Sequence, residues 1–255
     1  MLKIQLDGIN AGSQASGLLI NQGGSGSVVK GLLISRFDGA GILMGPDSTQ
    51  NRVEGNFIGT DFDGAFVAGN ADGVDIGRST FNTVGGNSPA ARNLISGNNG
   101  FGVAILASTN NLVAGNLIGT KKDGTTALAN SFSGVGIGDA SNNTVSSNTI
   151  AFNGGDGVGI GLIGEAPNPN AANGNLLAGN SIFSNGDLGI DLGQNGVTPQ
   201  RLRRCRHRPQ HPAEQARPLL SQDHQEGHHH KGQTKQHPQQ ELPGAVLLQR
   251  FGQRG

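Results

Sequence analysis

Asn51 to Thr60 of this 255-residue chain reads Asn-Arg-Val-Glu-Gly-Asn-Phe-Ile-Gly-Thr, and Asn111 to Thr120 repeats it as Asn-Leu-Val-Ala-Gly-Asn-Leu-Ile-Gly-Thr. Weaker copies begin at Asn82, Asn143 and Asn175, so successive copies start 31, 29, 32 and 32 residues apart. Self-similarity at a period of about 20 to 50 residues is typical of stacked-repeat proteins. The repeat therefore predicts a solenoid.

Each repeat contains three short phrases that predict three β-strands. The first reads Asn-x-Val, the second Asn-x-Ile and the third Gly-Val-x-Ile, and apolar residues alternate with polar or small ones. This alternation is the two-residue period of a half-buried strand. Three strands that return in register predict an all-β parallel β-helix of about six or seven coils, stacked about 4.8 Å apart.

The phrases also predict which side chains point into the bore. Asp75 and Asp191 lie between inward residues of the third strand, so they should face outward as solvated surface groups. The aliphatic residues of two repeats should stack in the bore, with the coil that begins at Asn82 between them. These residues are Val53, Ile58, Val74 and Ile76 in one repeat and Val113, Ile118, Val135 and Ile137 in the other.

The asparagine that precedes each second strand predicts a ladder of stacked amides. Gly and Asn tolerate the left-handed backbone angles that tight corners require, and amides about 4.8 Å apart can hydrogen-bond along a column. The alternative is that these asparagines form a binding face. The residues concerned are Asn56, Asn93, Asn116, Asn148 and Asn180.

Composition divides the chain at about Pro199. Residues 1–199 hold 8 Lys+Arg against 14 Asp+Glu and every asparagine, whereas residues 200–255 hold 10 against 4, all seven histidines and the single cysteine, Cys205. We therefore expect a β-helix domain at 1–199 and a disordered basic tail at 200–255. Three interpretations of the tail compete: an out-of-frame translation, which would explain the abrupt change, a basic nucleic-acid-binding segment, and a His-rich metal segment.

The phrases Asn-x-x-x-Gly-Asn-x-Ile-Gly-Thr, Asp-Gly-Val-x-Ile and Ala-Arg-Asn-x-Ile-Ser-Gly-Asn (Ala91 to Asn98) resemble those of bacterial right-handed parallel β-helix repeat proteins of pectate-lyase-like architecture. The resemblance covers roughly residues 4–199 and implies the right-handed form of the fold. It also implies a secreted or cell-surface parent protein. Met1-Leu2-Lys3 leads directly into Ile4 without the apolar segment of a signal peptide, so either the protein is cytosolic or its true N-terminus is missing. Because the repeat also lacks a terminal cap, we expect this chain to be a fragment of that parent.

Two long connections between the second and third strands are the candidate places for chemistry, because surface loops on a rigid scaffold commonly carry function. They span residues 61–72 and 121–133, occupy the same place in the repeat, and should emerge from the same side. Asp61-Phe62-Asp63-Gly64 is similar to the start of a calcium loop but lacks the later ligands. Asp75 and Asp191 should lie about four coils apart, roughly 19 Å, which is too far for a catalytic pair.

The sequence therefore predicts a non-enzymatic segment of a secreted or cell-surface repeat protein, serving as a scaffold or a weak carbohydrate-contacting surface. We assign no catalytic, cofactor-binding or metal-binding residue and expect no cofactor. The expected partners are an extracellular polysaccharide and neighbouring coils or domains of a longer parent chain, without nucleic acid or a membrane span. The alternative is a polysaccharide lyase or glycoside hydrolase with its site in loops 61–72 and 121–133.

Overall fold

The computed structural model describes residues 4–161, 172–193, 196 and 245–247, and every regular element in them is a β-strand. The strands form three sheets and are numbered in chain order. Sheet 1 holds the Asn-x-Val strands: β3 (Val28–Lys30), β6 (Arg52–Glu54), β9 (Thr83–Gly85), β12 (Leu112–Ala114), β15 (Thr144–Ser146) and β18 (Leu176–Ala178). Sheet 2 holds the Asn-x-Ile strands: β1 (Ile4–Asp7), β4 (Leu32–Ser35), β7 (Phe57–Ile58), β10 (Leu94–Ile95), β13 (Leu117–Ile118), β16 (Thr149–Ala151) and β19 (Ser181–Phe183). Sheet 3 holds the Gly-Val-x-Ile strands: β2 (Leu18–Ile20), β5 (Ile42–Met44), β8 (Val74–Gly77), β11 (Val103–Leu106), β14 (Val135–Gly138), β17 (Val158–Gly161) and β20 (Ile190–Leu192).

From β1 to β20, neighbouring strands in each sheet come from successive turns of the chain and pair in parallel. The chain therefore visits the three sheets in rotation, and each coil lies on the one before it. The predicted all-β parallel β-helix is confirmed. Of the segment predicted to be a tail, 200–255, the described part is β21 (Ala245–Leu247), which pairs antiparallel with β18. The remainder of that prediction lies outside the described residues.

The predicted stacking register is also confirmed. Val53 pairs with Val84, which pairs with Val113 in the next coil. Ile95 lies between Ile58 and Ile118 in the same way. These side chains are fully buried in the bore. Because each buried aliphatic side chain contributes about 1.5–3 kcal/mol, the aliphatic columns are the main apolar contribution to the stack.

Three asparagine ladders run along the stack, where the sequence predicts one. In each ladder the side-chain Nδ2 of one residue donates to Oδ1 of the residue one coil further, over 2.9–3.2 Å. The predicted ladder at the corner between sheets 1 and 2 contains Asn56, Asn93, Asn116, Asn148 and Asn180. The second contains Asn51, Asn82, Asn111, Asn143 and Asn175, and the third contains Asn70, Asn98, Asn130, Asn153 and Asn185.

The expectation that the ladder asparagines take the left-handed backbone angles of the corners is wrong. None of the fifteen ladder asparagines has a positive φ angle. At the corner between sheets 1 and 2 the preceding residue takes the left-handed conformation, as Gly55 (φ 61°), Gly115 (φ 68°) and Ser147 (φ 57°) do. Glycine relieves the backbone strain of this corner, whereas asparagine fills it with hydrogen bonds.

Candidate functional site

The loops at 61–72 and 121–133 emerge from the same side of the stack, as the sequence predicts. Each begins with the same tight turn: Asp61 N–H donates to Phe66 O over 3.1 Å, and Lys121 N–H donates to Thr126 O over 2.7 Å. The two turns touch across the shorter coil between them, because Lys122 N–H donates to Gly64 O over 3.3 Å. The two turns, residues 61–67 and 121–127, form one surface, here called the loop pair.

The loop pair carries apolar groups beside positive charge. Phe62, Phe66 and Val67 are 52%, 70% and 64% exposed. The Nζ atom of Lys121 lies 5.9 Å from the ring centroid of Phe66, within the range of a cation–π contact. An exposed aromatic ring with an ammonium group over it can stack on the apolar face of a sugar while the ammonium binds an oxygen.

The carboxylates of the loop pair hold its turns together. Asp61 Oδ1 accepts hydrogen bonds from the N–H groups of Ala65 and Phe66, over 2.8 and 3.1 Å. Asp123 Oδ1 accepts from the N–H groups of Thr125 and Thr126, each over 2.8 Å. The hydrogen bond from the Thr126 hydroxyl to Oδ2, and then these two backbone hydrogen bonds, lower the pKa of Asp123 to about 2. Among the described residues no group of three or more His, Cys, Asp or Glu side chains could hold a metal ion, and no helix could span a membrane.

A second candidate surface is the outward column of sheet 3. As predicted, the outward residues stack in register, with Asp75 and Asp191 four steps apart. At about 4.8 Å a step, these two carboxyl groups lie roughly 19 Å apart, too far to act on one bond. The column contains Leu19, Leu43, Asp75, Ala104, Gly136, Gly159 and Asp191.

The expectation that Asp75 and Asp191 are solvated surface groups is wrong. Asp191 is only 5% exposed, and its Oδ2 accepts a hydrogen bond from Gly196 N–H over 2.9 Å. Asp75 is partly buried, and its Oδ1 atom is inaccessible to solvent and has no hydrogen-bond partner among the residues that the structure describes. Burial, and then the charge of Asp72, raise the pKa of Asp75 to about 7. Alternation identified the face on which these residues lie, but not how far that face is covered.

Asp72 is the neighbour that the sequence analysis missed. Its Oδ1 accepts a hydrogen bond from Phe101 N–H in the next coil over 2.6 Å, and burial raises its pKa. Asp156 has the equivalent role, since its Oδ1 accepts from Leu188 N–H over 3.0 Å. The signal was present in the sequence, because Asp72 and Asp156 each directly precede the glycine of the third strand.

The raised pKa of Asp75 predicts that stability falls as pH rises. The folded chain keeps the Asp75 proton up to about pH 7, whereas the unfolded chain loses it near the usual value of 3.8. Between these values the folded state binds more protons, so stability decreases from about pH 4 to about pH 7 and is level above that. A difference of about three pKa units corresponds to at most about 4 kcal/mol.

Thermal unfolding measured across this pH range checks the prediction. We expect Asp75→Asn to be more stable than the unchanged chain above pH 7 and to lose this part of the pH dependence. Asp72→Asn removes the neighbouring charge, so the pKa of Asp75 should be raised by less than in the unchanged chain. In this variant the decrease in stability should therefore be smaller and should end at a lower pH. An Asp75→Asn variant with the same pH slope as the unchanged chain would contradict the assignment.

Comparisons with known proteins assign no family to this chain. A scan against protein-family models finds no match to the chain, and no curated protein matches it.

Proposed function

We propose that the chain is a non-enzymatic scaffold, a β-helix segment of a secreted or cell-surface protein of pectate-lyase-like architecture. The observation that carries the proposal is the set of three asparagine ladders. Asn116 illustrates it: Oδ1 accepts from Asn93 Nδ2 over 2.9 Å, and Nδ2 donates to Val84 O over 2.9 Å and to Asn148 Oδ1 over 3.0 Å. The ladder asparagines, which could otherwise form a binding face, use their amide groups to connect one coil to the next.

Four hydrogen-bonded carboxylates support the same proposal. Asp72 and Asp156 each accept a backbone N–H from the following coil, and Asp61 and Asp123 each hold a turn of the loop pair. These hydrogen bonds use acidic groups to fix backbone, which is a structural role. We propose the secreted or cell-surface location from the resemblance to bacterial β-helix repeat proteins.

Weak contact with an extended polysaccharide is the part of the function that we propose for the loop pair. Phe62 and Phe66 offer exposed rings, and Lys121 and Lys122 favour an acidic chain through their charge. One such patch provides few contacts, so useful affinity would require many patches along a longer parent chain.

Binding of acidic and neutral polysaccharides, measured by affinity electrophoresis, tests the loop pair. We expect Phe66→Ala to weaken binding roughly three- to tenfold, which corresponds to about 0.5–1.5 kcal/mol for a lost aromatic contact. Lys121→Ala should weaken the binding of acidic chains selectively, and added salt should have the same effect. Phe81→Ala, which removes a ring that is 59% exposed outside the loop pair, is the control and should leave binding unchanged. Equal effects of the Phe66 and Phe81 variants would contradict a site on the loop pair.

A carbohydrate-active enzyme is the second candidate, and one observation favours it. Glycoside hydrolysis uses two carboxyl groups, one of them with a raised pKa that serves as the acid. Asp75, with its pKa raised to about 7 and the charge of Asp72 beside it, fits that description. Asp72 also ends the loop at 61–72, where the alternative places its site.

Turnover assays separate the two candidates. We expect no release of reducing ends from neutral or acidic polysaccharides and no unsaturated uronate from pectate or alginate, with or without calcium. Activity that is lost in Asp75→Asn or Asp72→Asn but retained in Asp63→Ala would establish the hydrolase. Lyase activity lost in Asp63→Ala or Lys121→Ala would place an enzyme in the loop pair, and either result would overturn the scaffold.

A further inference from the structure

We propose that Asn99 is a site of spontaneous covalent modification, at which the asparagine converts to aspartate or isoaspartate while the ladder asparagines beside it stay intact. The inference is independent of the proposed function, because it concerns the chemistry of one corner of the stack. That corner joins β10 to β11 and carries the sequence Asn98-Asn99-Gly100.

The reaction needs only the side chain of an asparagine and the backbone nitrogen of the next residue. Gly100 N attacks Cγ of Asn99, so that an N–Cγ bond forms, the Cγ–Nδ2 bond breaks, and ammonia leaves with the displaced proton. Water then opens the resulting succinimide ring at either carbonyl, giving aspartate or isoaspartate. Glycine in the following position favours the attack because it has no Cβ to hinder the ring.

Neither reacting group of this pair is hydrogen-bonded to a described residue, although Gly100 itself is buried. Asn99 is exposed, and its side chain makes no hydrogen bond with any residue that the structure describes. The N–H of Gly100 also donates to no acceptor within the described part of the chain. Glycine is required here, since a Cβ at Gly100 would lie 2.2 Å from Asp72 Oδ1.

A difference in length between two coils explains why no described residue accepts a hydrogen bond from the Gly100 N–H. Three residues separate Asn98 from Gly102, but only two separate Asn70 from Gly73 in the preceding coil. The corner of the preceding coil, between Asn70 and Gly73, therefore has one residue fewer and provides no carbonyl group opposite the Gly100 N–H. In the next coil up, where both corners have three residues, the equivalent Phe132 N–H does donate, to Gly100 O over 3.0 Å.

Two Asn-Gly pairs at the same corner of other coils are held by hydrogen bonds. In Asn153-Gly154, the asparagine Nδ2 donates to Asn185 Oδ1 over 2.9 Å, and Gly154 N–H donates to Asn130 O over 2.8 Å. In Asn185-Gly186, the asparagine Oδ1 accepts from Asn153, and Gly186 N–H donates to Asn153 O over 2.8 Å. Breaking at least two hydrogen bonds before reaction should slow these pairs by roughly tenfold or more relative to Asn99.

Conversion at Asn99 would change the corner chemically. It would place a carboxylate close to Asp72, and isoaspartate would add one carbon to the main chain where Asn99 N–H donates to Asn70 O over 2.9 Å. The stack would thus acquire an irreversible, time-dependent change at one defined coil, with the ladders intact.

Incubation of the full chain in mildly alkaline buffer, followed by peptide mapping with mass spectrometry and isoaspartate assay, tests this inference. We expect Asn99 to convert roughly tenfold or more faster than Asn153 and Asn185 in the folded protein. The same incubation in urea should bring the three rates together, because unfolding removes the hydrogen bonds. The Asn99→Gln variant should accumulate no product at this corner.

Either of two results would overturn the proposal. The first is an intact Asn99 in the folded chain under conditions where the urea-treated chain converts it. The second is conversion of Asn153 or Asn185 at the rate of Asn99 in the folded chain. Circular dichroism of each sample establishes that the comparison is made on folded protein.

Discussion

Replacing Ile118 with Asp should unfold the β-helix at ordinary temperatures. Ile118 is fully buried and stacks between Ile95 and Ile150. A carboxylate at that position would have no partner among aliphatic side chains, and an uncompensated buried charge costs about 3–5 kcal/mol. The lost packing of the isoleucine adds about 2–5 kcal/mol. The sum is comparable to the whole stability of a typical domain, about 5–15 kcal/mol.

Circular dichroism and urea denaturation measure this effect, and Leu106→Asp is the matched control. Leu106 also lies in a strand in the middle of the stack, but it points outward and is 38% exposed. We expect this variant to remain folded. Asp75→Ala, which the sequence alone predicts to be nearly silent, is a poor control because Asp75 is partly buried. Unfolding of the Leu106 variant alone would show that the register is wrong by one residue.

Replacing Asn116 with Ala should cost roughly 3–5 kcal/mol of unfolding free energy, although the residue lies at a corner and not in the aliphatic bore. The substitution removes Oδ1, which accepts from Asn93 N–H over 3.3 Å and from Asn93 Nδ2 over 2.9 Å. It also removes Nδ2, which donates to Val84 O over 2.9 Å and to Asn148 Oδ1 over 3.0 Å, so four hydrogen bonds are lost in a largely buried environment. Each buried polar group that loses its hydrogen bond costs about 1–3 kcal/mol. Denaturant unfolding of the purified variant measures the loss.

The control for the ladder is Asn99→Ala, which removes an exposed asparagine from the same stack. Its effect should fall within about 0.5 kcal/mol, as for most surface substitutions. A double-mutant cycle between Asn116 and Asn148 should show coupling, because the two amides bond each other over 3.0 Å. Equal costs for the Asn116 and Asn99 variants, together with no coupling, would show that the ladder contributes nothing.

The sequence predicted the fold and its register because both depend on short-range alternation repeated at nearly constant spacing. Asn-x-Val, Asn-x-Ile and Gly-Val-x-Ile each fix one strand, and the repeat places each strand on its copy. Of the two ladders that were not predicted, the second recurs at the regular spacing of 29 to 32 residues, whereas the spacing of the third varies. Two residues separate Asn70 from Gly73, but three separate Asn98 from Gly102, so the asparagines do not align with the glycines that follow them.

The electrostatics of the candidate site were less predictable. The period of a strand tells which face a side chain takes, and Asp75 does lie on the outward column. The period does not tell how deeply that face is buried or which charge lies next to the side chain. Burial raises the pKa of Asp75 most and the charge of Asp72 adds to it, and both effects depend on the corner geometry and not on strand periodicity. The loop pair was predictable, since both loops follow the same phrase, Ile-Gly-Thr.

Hydrogen exchange of side-chain amides, followed by NMR, tests most directly the claim that asparagine side chains hold the coils together. The Nδ2 groups of Asn116 and Asn148 donate to buried or partly buried acceptors, so their protons should exchange slowly and only when the stack opens. The Nδ2 protons of Asn99 should exchange as fast as those of a short peptide. If the ladder amides exchanged as fast as Asn99 in the folded chain, the ladders would not be hydrogen-bonded in solution and the structural account of the scaffold would fail.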